Sequence, residues 1–522
     1  MDFISLSFVY STLCLAIICV ILKKLFQQEP PKFGKYAPSP SKLPIIGHLH
    51  LLAKFPDNPW KGFDLIREQY GDVVSLQLGS YNALLVSSLD KMKEVLITKG
   101  KIFSDRPDFH RYRIIFGGDR ENALALCDWS ELQKTRRVLC SISTTPKFAS
   151  ASYEMLDKAI VSELKLFFDF IEASPERILT KCWLRQFSSN VFTEYLCASR
   201  MEYNDPILVK LSYFFDFIFN DISQCGPVDF LPFIRHLGFY RGYLKKVDEI
   251  AVDLRVFMEK YFVEPRIAKI QKSMELDGEI DLESFDSMIS LDLMYKYHLK
   301  NPDEFSYEHF LFAIGDLVGG SSAIVNMIMR LVGHLSIDKE VQEDMYQEVA
   351  AVAKQHDTDM ISLKQRPDLP LIEAAILEAL RISSSPLVPH VPTEDSTIGG
   401  YFVPKGTIVL FNNYNMNFST EFYTDPEEFQ PSRFLSHSSN NNSQSKWQIK
   451  KPEVFLPFSV GQRSCLGFKL TQYITFVALC NILLRYKIEP VDSIETIKNH
   501  IRGGVLALRV DDVFRVKLIP RD

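Results

Sequence analysis

The chain has 522 residues, 59 basic and 65 acidic side chains for a formal net charge of −6, and a hydrophobic content of 46%. Aromatic residues at 12% and charged residues at 24% exclude an intrinsically disordered chain, and the mild acidity argues against a nucleic-acid partner. Nine cysteines, an odd number without tight spacing, indicate reduced thiols in a cytosolic environment.

The chain begins with an apolar stretch. No charged side chain occurs from Phe3 to Leu22, and Lys23 and Lys24 follow directly. A helix of this length spans the hydrocarbon core of a bilayer, about 30 Å. We expect residues 1–26 to be a transmembrane signal anchor, residues 27–44 a proline-rich hinge, and residues 45–522 one cytosolic body. A cleaved signal peptide is the alternative, but its basic residues would precede the apolar run.

The body combines a large helical part with short strands. Lys61–Tyr70 has the pattern of an amphipathic helix, and Asp72–Leu78 and Ala83–Val86 read as strands joined by the turn Gly79–Asn82. Helical patterns dominate from about residue 149 to 378, and short strands and turns follow Pro386. The predicted fold class is mainly α with smaller β regions, α+β.

Two further features of the body can be predicted. The Ser/Asn/Gln-rich segment Ser436–Ser445 is typical of a mobile surface loop. We also expect no internal repeat and no second apolar span as long as the N-terminal one.

One segment has the sequence pattern of a ligand-binding site. The run Phe458–Gly467, FSVGQRSCLG, matches the pattern F-x-x-G-x-R-x-C-x-G at all five fixed positions. Its glycines allow a tight backbone around the Cys465 sulfur, amide groups can stabilise a thiolate, and Arg463 can pair with a carboxylate of a bound ligand. The segment resembles the haem-binding loop of the cytochrome P-450 family, and the resemblance extends from about Pro44 to the C-terminus. The alternative is that Cys465 is a buried structural cysteine with no ligand.

This resemblance implies the cytochrome P-450 fold for residues 45–522, with haem b as the cofactor and Cys465 as the axial thiolate of its iron. Glu378 and Arg381 match the family's E-x-x-R, and Pro431–Phe434 matches its P-x-R-F. The resemblance therefore implies a buried network of Glu378, Arg381 and Arg433 that braces the haem loop.

The resemblance also implies contacts to the haem propionates. Trp129 matches the family's tryptophan, and the basic residue usual four positions later is replaced by Gln133, with Lys134 beside it. The second contact is then either Gln133 or Lys134, and Arg463 and His390 are further cofactor-binding candidates. For His390, an ordinary surface position is the alternative.

The helix above the haem departs from the family pattern A/G-G-x-D/E-T. The matching residues are Gly320, Ser321, Ser322, Ala323 and Ile324, so the acid and threonine positions hold side chains that cannot donate a proton. Either Ser321 or Ser322 compensates through water, or the alignment is shifted by two positions and a serine takes the usual role.

Three sequence segments resemble one branch of the family. Cys127–Gln133, Asp316–Gly320 and Ile408–Asn417 are similar to the arthropod Halloween-group Spook and Spookier members, which also lack the acid–threonine pair. The resemblance implies a sterol oxidase of ecdysteroid biosynthesis, at the step from 7-dehydrocholesterol toward the ketodiol.

The resemblance further implies an enzyme of the endoplasmic reticulum membrane that uses O2 and an NADPH-dependent reductase on the same membrane. We expect its sterol pocket to be lined by residues 313–320 and 106–126, beneath a phenylalanine-rich roof at residues 206–239. The basic candidates for docking the reductase are Lys134, Arg136, Arg137 and Lys469. The alternatives are a haem-thiolate isomerase or dehydratase independent of O2 and reductase, a general lipid or xenobiotic monooxygenase, and a non-enzymatic haem protein.

Overall fold

The computed structural model describes residues 31–521 except 57, 224–225, 278–288, 438–446, 505–506 and 511–512. The predicted anchor and the first residues of the hinge lie outside this range. The rest of the hinge lies against the body: the Pro38 carbonyl accepts a hydrogen bond from the Ser75 amide at 2.8 Å, and Lys35 forms a β-bridge with Tyr401.

Helices form most of the described chain. In chain order the α-helices are α1 Leu49–Leu52, α2 Pro59–Tyr70, α3 Leu89–Lys93, α4 His110–Ile115, α5 Glu131–Thr144, α6 Ala151–Glu172, α7 Lys181–Cys197, α8 Pro206–Ser223, α9 Pro227–Phe230, α10 Gly238–Met258, α11 Glu264–Asp277, α12 Ser290–Lys300, α13 Tyr307–Gly319, α14 Ser321–Ile337, α15 Lys339–Gln355, α16 Pro370–Ser383, α17 Asn413–Phe418, α18 Phe468–Arg485 and α19 Ile494–Ile501. Side-chain caps define several starts: Ser130 accepts from the Gln133 amide and Thr180 from the Trp183 amide.

The strands form small sheets at the edges of the helical body. They are β1 Val73–Leu78, β2 Tyr81–Val86, β3 Ile178–Leu179, β4 Ser396–Ile398, β5 Tyr401–Val403, β6 Ile408–Phe411, β7 Leu435–His437, β8 Trp447–Ile449, β9 Tyr486–Pro490 and β10 Val516–Pro520. One sheet has the order β1-β2-β6 with β6 parallel to β2, another has the order β3-β10-β9, and two hairpins pair β4 with β5 and β7 with β8. The predicted fold class, mainly α with smaller β regions, is confirmed.

Two local predictions need correction. The turn between β1 and β2 is shorter than predicted, because Tyr81 and Asn82 pair with Leu78 and Gln77 and so belong to β2. The start of the predicted mobile loop is also ordered, because Ser436 pairs with Gln448 of β8. The rest of that loop, apart from His437, lies outside the described residues.

The core is built around α14. This helix packs against α7, α16, α18 and α19, and most of its side chains are buried. Together with α13 it forms a stretch from Tyr307 to Ile337 that is apolar and long enough to cross a membrane, so the prediction of no second apolar span was wrong. In its most apolar window 67% is buried inside the protein, as expected for the central helix of a folded core.

A cluster of buried charged side chains connects α4, α8, α9 and α10. Arg111 of α4 forms ion pairs with Asp221 of α8 at 2.5 Å and Asp229 of α9 at 2.7 Å, and Tyr243 of α10 also donates to Asp221. All three charged side chains are less than 10% exposed. The Arg111 guanidinium group therefore joins α4, α8 and α9, and Asp221 links α10 to them through Tyr243.

Substitution of Arg111 tests how much its guanidinium group contributes to the stability of the fold. We expect Arg111→Met to lower the free energy of unfolding by about 3–5 kcal/mol, because two buried carboxylates lose their counter-charge. Arg113→Met, on the same helix, removes an ion pair to Asp108 that is about half exposed and should cost at most about 1 kcal/mol. Urea unfolding of the detergent-solubilised variants measures both values, and equal losses would contradict this account.

Candidate active site

A large cavity lies beside α13 and the Cys465 loop. Its volume is about 1460 Å³. Phe215 and Phe219 of α8 form part of its roof, Tyr112 of α4 and Phe116 directly after α4 also contribute, and Leu317 contributes from α13. The predicted pocket segments, residues 106–126, 206–239 and 313–320, all contribute to this wall.

The Cys465 loop opens onto this cavity. Ser459 and Gly461 have left-handed backbone angles, with φ of 59° and 81°, which turn the chain sharply before the cysteine. The Cys465 amide then donates to the Phe458 carbonyl at 2.9 Å, which closes the loop. A Cβ atom at Gly461 would collide with the carbonyl oxygen of Leu96, so glycine is required there.

The thiol of Cys465 lines the cavity and is accessible from it. Burial raises the pKa of this thiol, whereas the Gly467 amide and the Arg137 guanidinium lower it. The helix α18 starts directly after the loop, at Phe468, so its N-terminal dipole also favours a negative sulfur. The surroundings thus hold donors and positive charge for a thiolate that would bind a metal centre.

Glu378, Arg381 and Arg433 form one buried network, as the sequence pattern implies. Arg381 donates to both oxygens of Glu378 at 2.8 Å, and Arg433 donates to Glu378 Oε1 at 3.2 Å. Arg381 also donates to the Asn417 carbonyl at 2.7 Å. The turn that carries Arg433 is linked to the end of β8, because the Lys450 amide donates to the Phe434 carbonyl at 2.9 Å.

Three arginines converge on the cavity from different segments. Arg106 donates to the Val388 and Pro389 carbonyls at 3.0 Å, Arg137 to the Ser464 carbonyl, and Arg463 to the Ser104 and Cys127 carbonyls at 2.8 Å. None of them forms an ion pair with a carboxylate in the described part of the chain. Burial lowers the pKa of Arg106 to about 9 and also lowers those of Arg137 and Arg463.

The Nη1 atom of Arg463 is buried and has no hydrogen-bond partner among the described residues. An unpaired buried guanidinium nitrogen is costly, so the site favours an added acceptor. The sequence predicted Arg463 but not Arg106 or Arg137 as groups around a bound anion. An isolated arginine in a loop or helix has no sequence signal for this role.

Of the other residues predicted to contact the propionates, Trp129 and His390 lie at the site, whereas Lys134 does not. The Arg463 guanidinium stacks over the Trp129 ring at 5.0 Å. His390 is buried, lines the cavity and contacts the Phe103 carbonyl through Nδ1 at 2.6 Å. Burial and the charge of Arg106 hold the pKa of His390 well below its usual range, so its ring is neutral. Lys134 does not reach the cavity, because it is exposed and pairs with Glu131 at 3.2 Å.

The helix above the site is interrupted at Gly320. The Gly320 amide bonds to both the Asp316 and Leu317 carbonyls, and the Ala323 amide bonds to the Gly320 carbonyl three residues back. Gly320 and Ala323 line the cavity. Ser321, Ser322 and Ile324 are buried in the core and do not line it, so the structure brings neither serine to the site.

The structure gives Asp316 a place of its own in the site. The sequence analysis included this residue in the pocket segment 313–320 without a role for its carboxyl group, which lines the cavity and accepts from the Leu124 amide at 2.6 Å. Burial raises its pKa to about 7.

Two of the four predicted reductase-docking charges are unsuited to that role. Arg136 is buried and donates to the Glu121 and Asn122 carbonyls, and Arg137 is directed to Ser464. The helical period of α5 turns these two side chains inward, whereas Lys134 stays exposed. Lys469 is half-buried and donates to the Pro146 carbonyl at 3.0 Å.

These features fit a haem group. A planar ligand with two carboxylates would meet the unpaired Arg463 nitrogen, Arg106 and Arg137, while Cys465 faces the same space. Gly467 borders the cavity and a Cβ atom there would meet nothing within 4 Å, which leaves room for a flat group next to the sulfur. The donors and the open space are those that the haem resemblance requires.

The two glycines of the loop predict opposite outcomes. Gly461→Ala should destabilise the protein, because alanine at φ 81° is strained by about 1–2 kcal/mol and its Cβ atom collides with Leu96. Gly467→Ala has no collision and should change the apoprotein stability by at most about 0.5 kcal/mol, but its methyl group enters the cavity and should reduce haem content. Thermal unfolding and haem content per chain measure the two effects; a haem-replete Gly467→Ala protein with wild-type affinity would contradict the placement of the cofactor.

Comparison with known proteins agrees with this geometry. The family model for cytochrome P450 matches residues 37–510. Cytochrome P450 307a1 of Drosophila melanogaster is 34% identical over 99% of this chain and 97% of its own length. Cytochrome P450 1A1 of Sparus aurata is 26% identical over 93% of this chain and 91% of its own, and the steroid 17-alpha-hydroxylase/17,20 lyase of Gallus gallus is 27% identical over 92% and 93%. The chain, with its cysteine loop, its arginine-lined cavity and its interrupted central helix, belongs to the cytochrome P450 family of haem-thiolate monooxygenases.

Proposed function

We propose that this enzyme oxidises a sterol in ecdysteroid biosynthesis, at the step that converts 7-dehydrocholesterol toward the ketodiol. The observation that carries the proposal is the cavity of about 1460 Å³ between Cys465 and the phenylalanine roof. Ordinary small-molecule sites occupy roughly 300–1,000 Å³, so this space holds both a cofactor and a lipophilic substrate.

The wall chemistry supports a bulky apolar substrate. Away from the arginines and Cys465 the wall is lined by side chains such as Phe116, Phe215, Phe312 and Leu317. The similarity to a steroid 17-alpha-hydroxylase/17,20 lyase supports a steroid-type ligand, and the branch resemblance in three sequence phrases supports an ecdysteroid precursor.

The residues around the site have separable roles in this proposal. Cys465 is the metal ligand, and Arg106, Arg137 and Arg463, with Trp129 stacked on Arg463, hold the cofactor's carboxylates. When bound, the haem supplies the activation of O2 that the family uses, and a thiolate ligand favours cleavage of its O–O bond. The apolar roof excludes water and orients the substrate above the interrupted helix.

Proton supply distinguishes this chain from the usual family pattern. Ala323 occupies the wall where the family has an acid, and Ile324, Ser321 and Ser322 lie in the core. Protons therefore reach the site from water, from the substrate hydroxyl or from a group elsewhere on the wall.

The same observation favours a second candidate function. A wall without an acid–hydroxyl pair is compatible with a haem-thiolate isomerase or dehydratase, which needs neither O2 nor a reductase. The two candidates differ in whether they require O2 and electrons from NADPH.

The cellular setting completes the proposal. Residues 1–26 anchor the enzyme in the endoplasmic reticulum membrane, residues 27–44 form the hinge, and residues 45–522 form the cytosolic catalytic domain. Lipid delivers the substrate, and an NADPH-dependent reductase on the same membrane supplies electrons. Exposed Lys134 and Lys147 are candidates for contact with an acidic reductase surface.

The direct test is turnover by membranes that carry the full chain and the reductase. With 7-dehydrocholesterol, NADPH and O2, we expect a product whose mass shows oxidation of the sterol. Product formed equally without NADPH would instead establish the isomerase or dehydratase, and no sterol product under either condition would contradict both candidates.

Two cysteine variants serve as matched controls. Cys465→Ser should abolish turnover and the reduced carbon-monoxide absorption typical of a thiolate ligand. Cys182→Ser changes a half-buried thiol of α7 far from the loop in sequence and should leave both unchanged. An unchanged spectrum in Cys465→Ser would disprove the assignment of the ligand.

A further inference from the structure

The wall of the cavity carries one acidic group. Asp316 of α13 lies one helical turn before the break at Gly320, and no other Asp or Glu lines the cavity among the residues that the structure describes. Its neighbours on the wall include the apolar side chains of Leu124, Phe312 and Leu317. A carboxyl group in such a setting is a fixed polar contact point within a mostly apolar space.

The carboxyl group has spare hydrogen-bonding capacity. The Leu124 amide, at 2.6 Å from Oδ2, is the one hydrogen bond it receives from described residues. A carboxylate accepts about four hydrogen bonds, and a protonated carboxyl can also donate one. At least one oxygen of Asp316 is therefore left for a ligand in the cavity.

The charges around Asp316 favour a neutral ligand. Burial raises its pKa to about 7, while the Leu124 amide and Arg136 of α5 lower it. Cys140 of α5 faces it as well, and Arg255 of α10 lines the same cavity over Phe312. Arg136 and Arg255 already place positive charge near this part of the wall, which disfavours a cationic ligand, whereas a hydroxyl group can bond either protonation state of the acid.

We propose that Asp316 is a substrate-binding residue that hydrogen-bonds a hydroxyl group of a largely apolar substrate. The choice of a sterol as that substrate rests on the proposed function, but the recognition of a hydroxyl group does not. The contact also ties the ligand to the loop after α4, because the same carboxyl holds the Leu124 amide.

The test compares ligands that differ by one hydroxyl group. Purified holoenzyme is titrated with 7-dehydrocholesterol and with the same sterol lacking its hydroxyl, and separately with a long-chain alcohol and its parent alkane. Binding is followed by the change in haem absorption. We expect the wild type to prefer the hydroxylated member of a pair by about ten-fold, the effect of one hydrogen bond to a charged group.

Three variants assign that preference to Asp316. Asp316→Leu should reduce it to nearly one-fold, whereas Asp316→Asn can still accept from Leu124 and bond a hydroxyl and should retain part of it. Glu308→Gln removes an exposed acid from the same helix and should keep the wild-type preference. The reduced carbon-monoxide spectrum establishes that each variant holds its haem, so a purely structural loss is detected separately.

The pH dependence gives a second readout. As the pH rises through about 7, the ionised carboxylate forms a stronger, charge-assisted bond to a hydroxyl and penalises a ligand that lacks one. The hydroxyl preference of the wild type should therefore rise with pH, and that of Asp316→Asn should stay constant.

The outcomes are distinct. If the enzyme binds the long-chain alcohol more tightly than the alkane but binds neither sterol, the role of Asp316 is supported and the sterol proposal is overturned. No hydroxyl preference in the wild type, or a full preference in haem-replete Asp316→Leu, would overturn the inference.

Discussion

The structure depends on positive charge that the chain buries without neutralising. Arg106, Arg137 and Arg463 come from three distant segments, and each finds carbonyl dipoles instead of a carboxylate in the described chain. Burial of an unpaired ion costs several kcal/mol, and the lowered pKa values of these arginines express that cost. A dianionic cofactor supplies the missing counter-charge, so cofactor binding and the stability of this wall are coupled.

The sulfur of Cys465 belongs to the same electrostatic arrangement. Arg137 joins the cofactor wall to the loop through Ser464 and lowers the pKa of the thiol. In the Glu378 network, by contrast, both guanidinium groups share a carboxylate partner. The protein thus separates arginines that are paired with a buried carboxylate from arginines that lack one and can bind an anionic ligand.

The sequence predicted those parts of the site that a short local pattern encodes. The residues from Phe458 to Gly467 and the spacing of Glu378 and Arg381 are such patterns, and the structure places them as expected. Lys134 and the two serines failed to reach the cavity because a helix rotates by about 100° per residue, so a neighbour in sequence faces elsewhere. Arg106 and Asp316 lay in predicted pocket segments, but their individual roles could not be assigned, since these roles arise only when segments distant in sequence meet.

Reconstitution with an altered cofactor tests the central claim most directly. Apoprotein is loaded either with haem or with its dimethyl ester, which has the same ring and iron but no propionate charge. If the three arginines require a dianion, haem should raise the melting temperature well above that reached with the ester, and Arg463→Met should narrow this difference. Equal melting temperatures with the two cofactors would contradict the account.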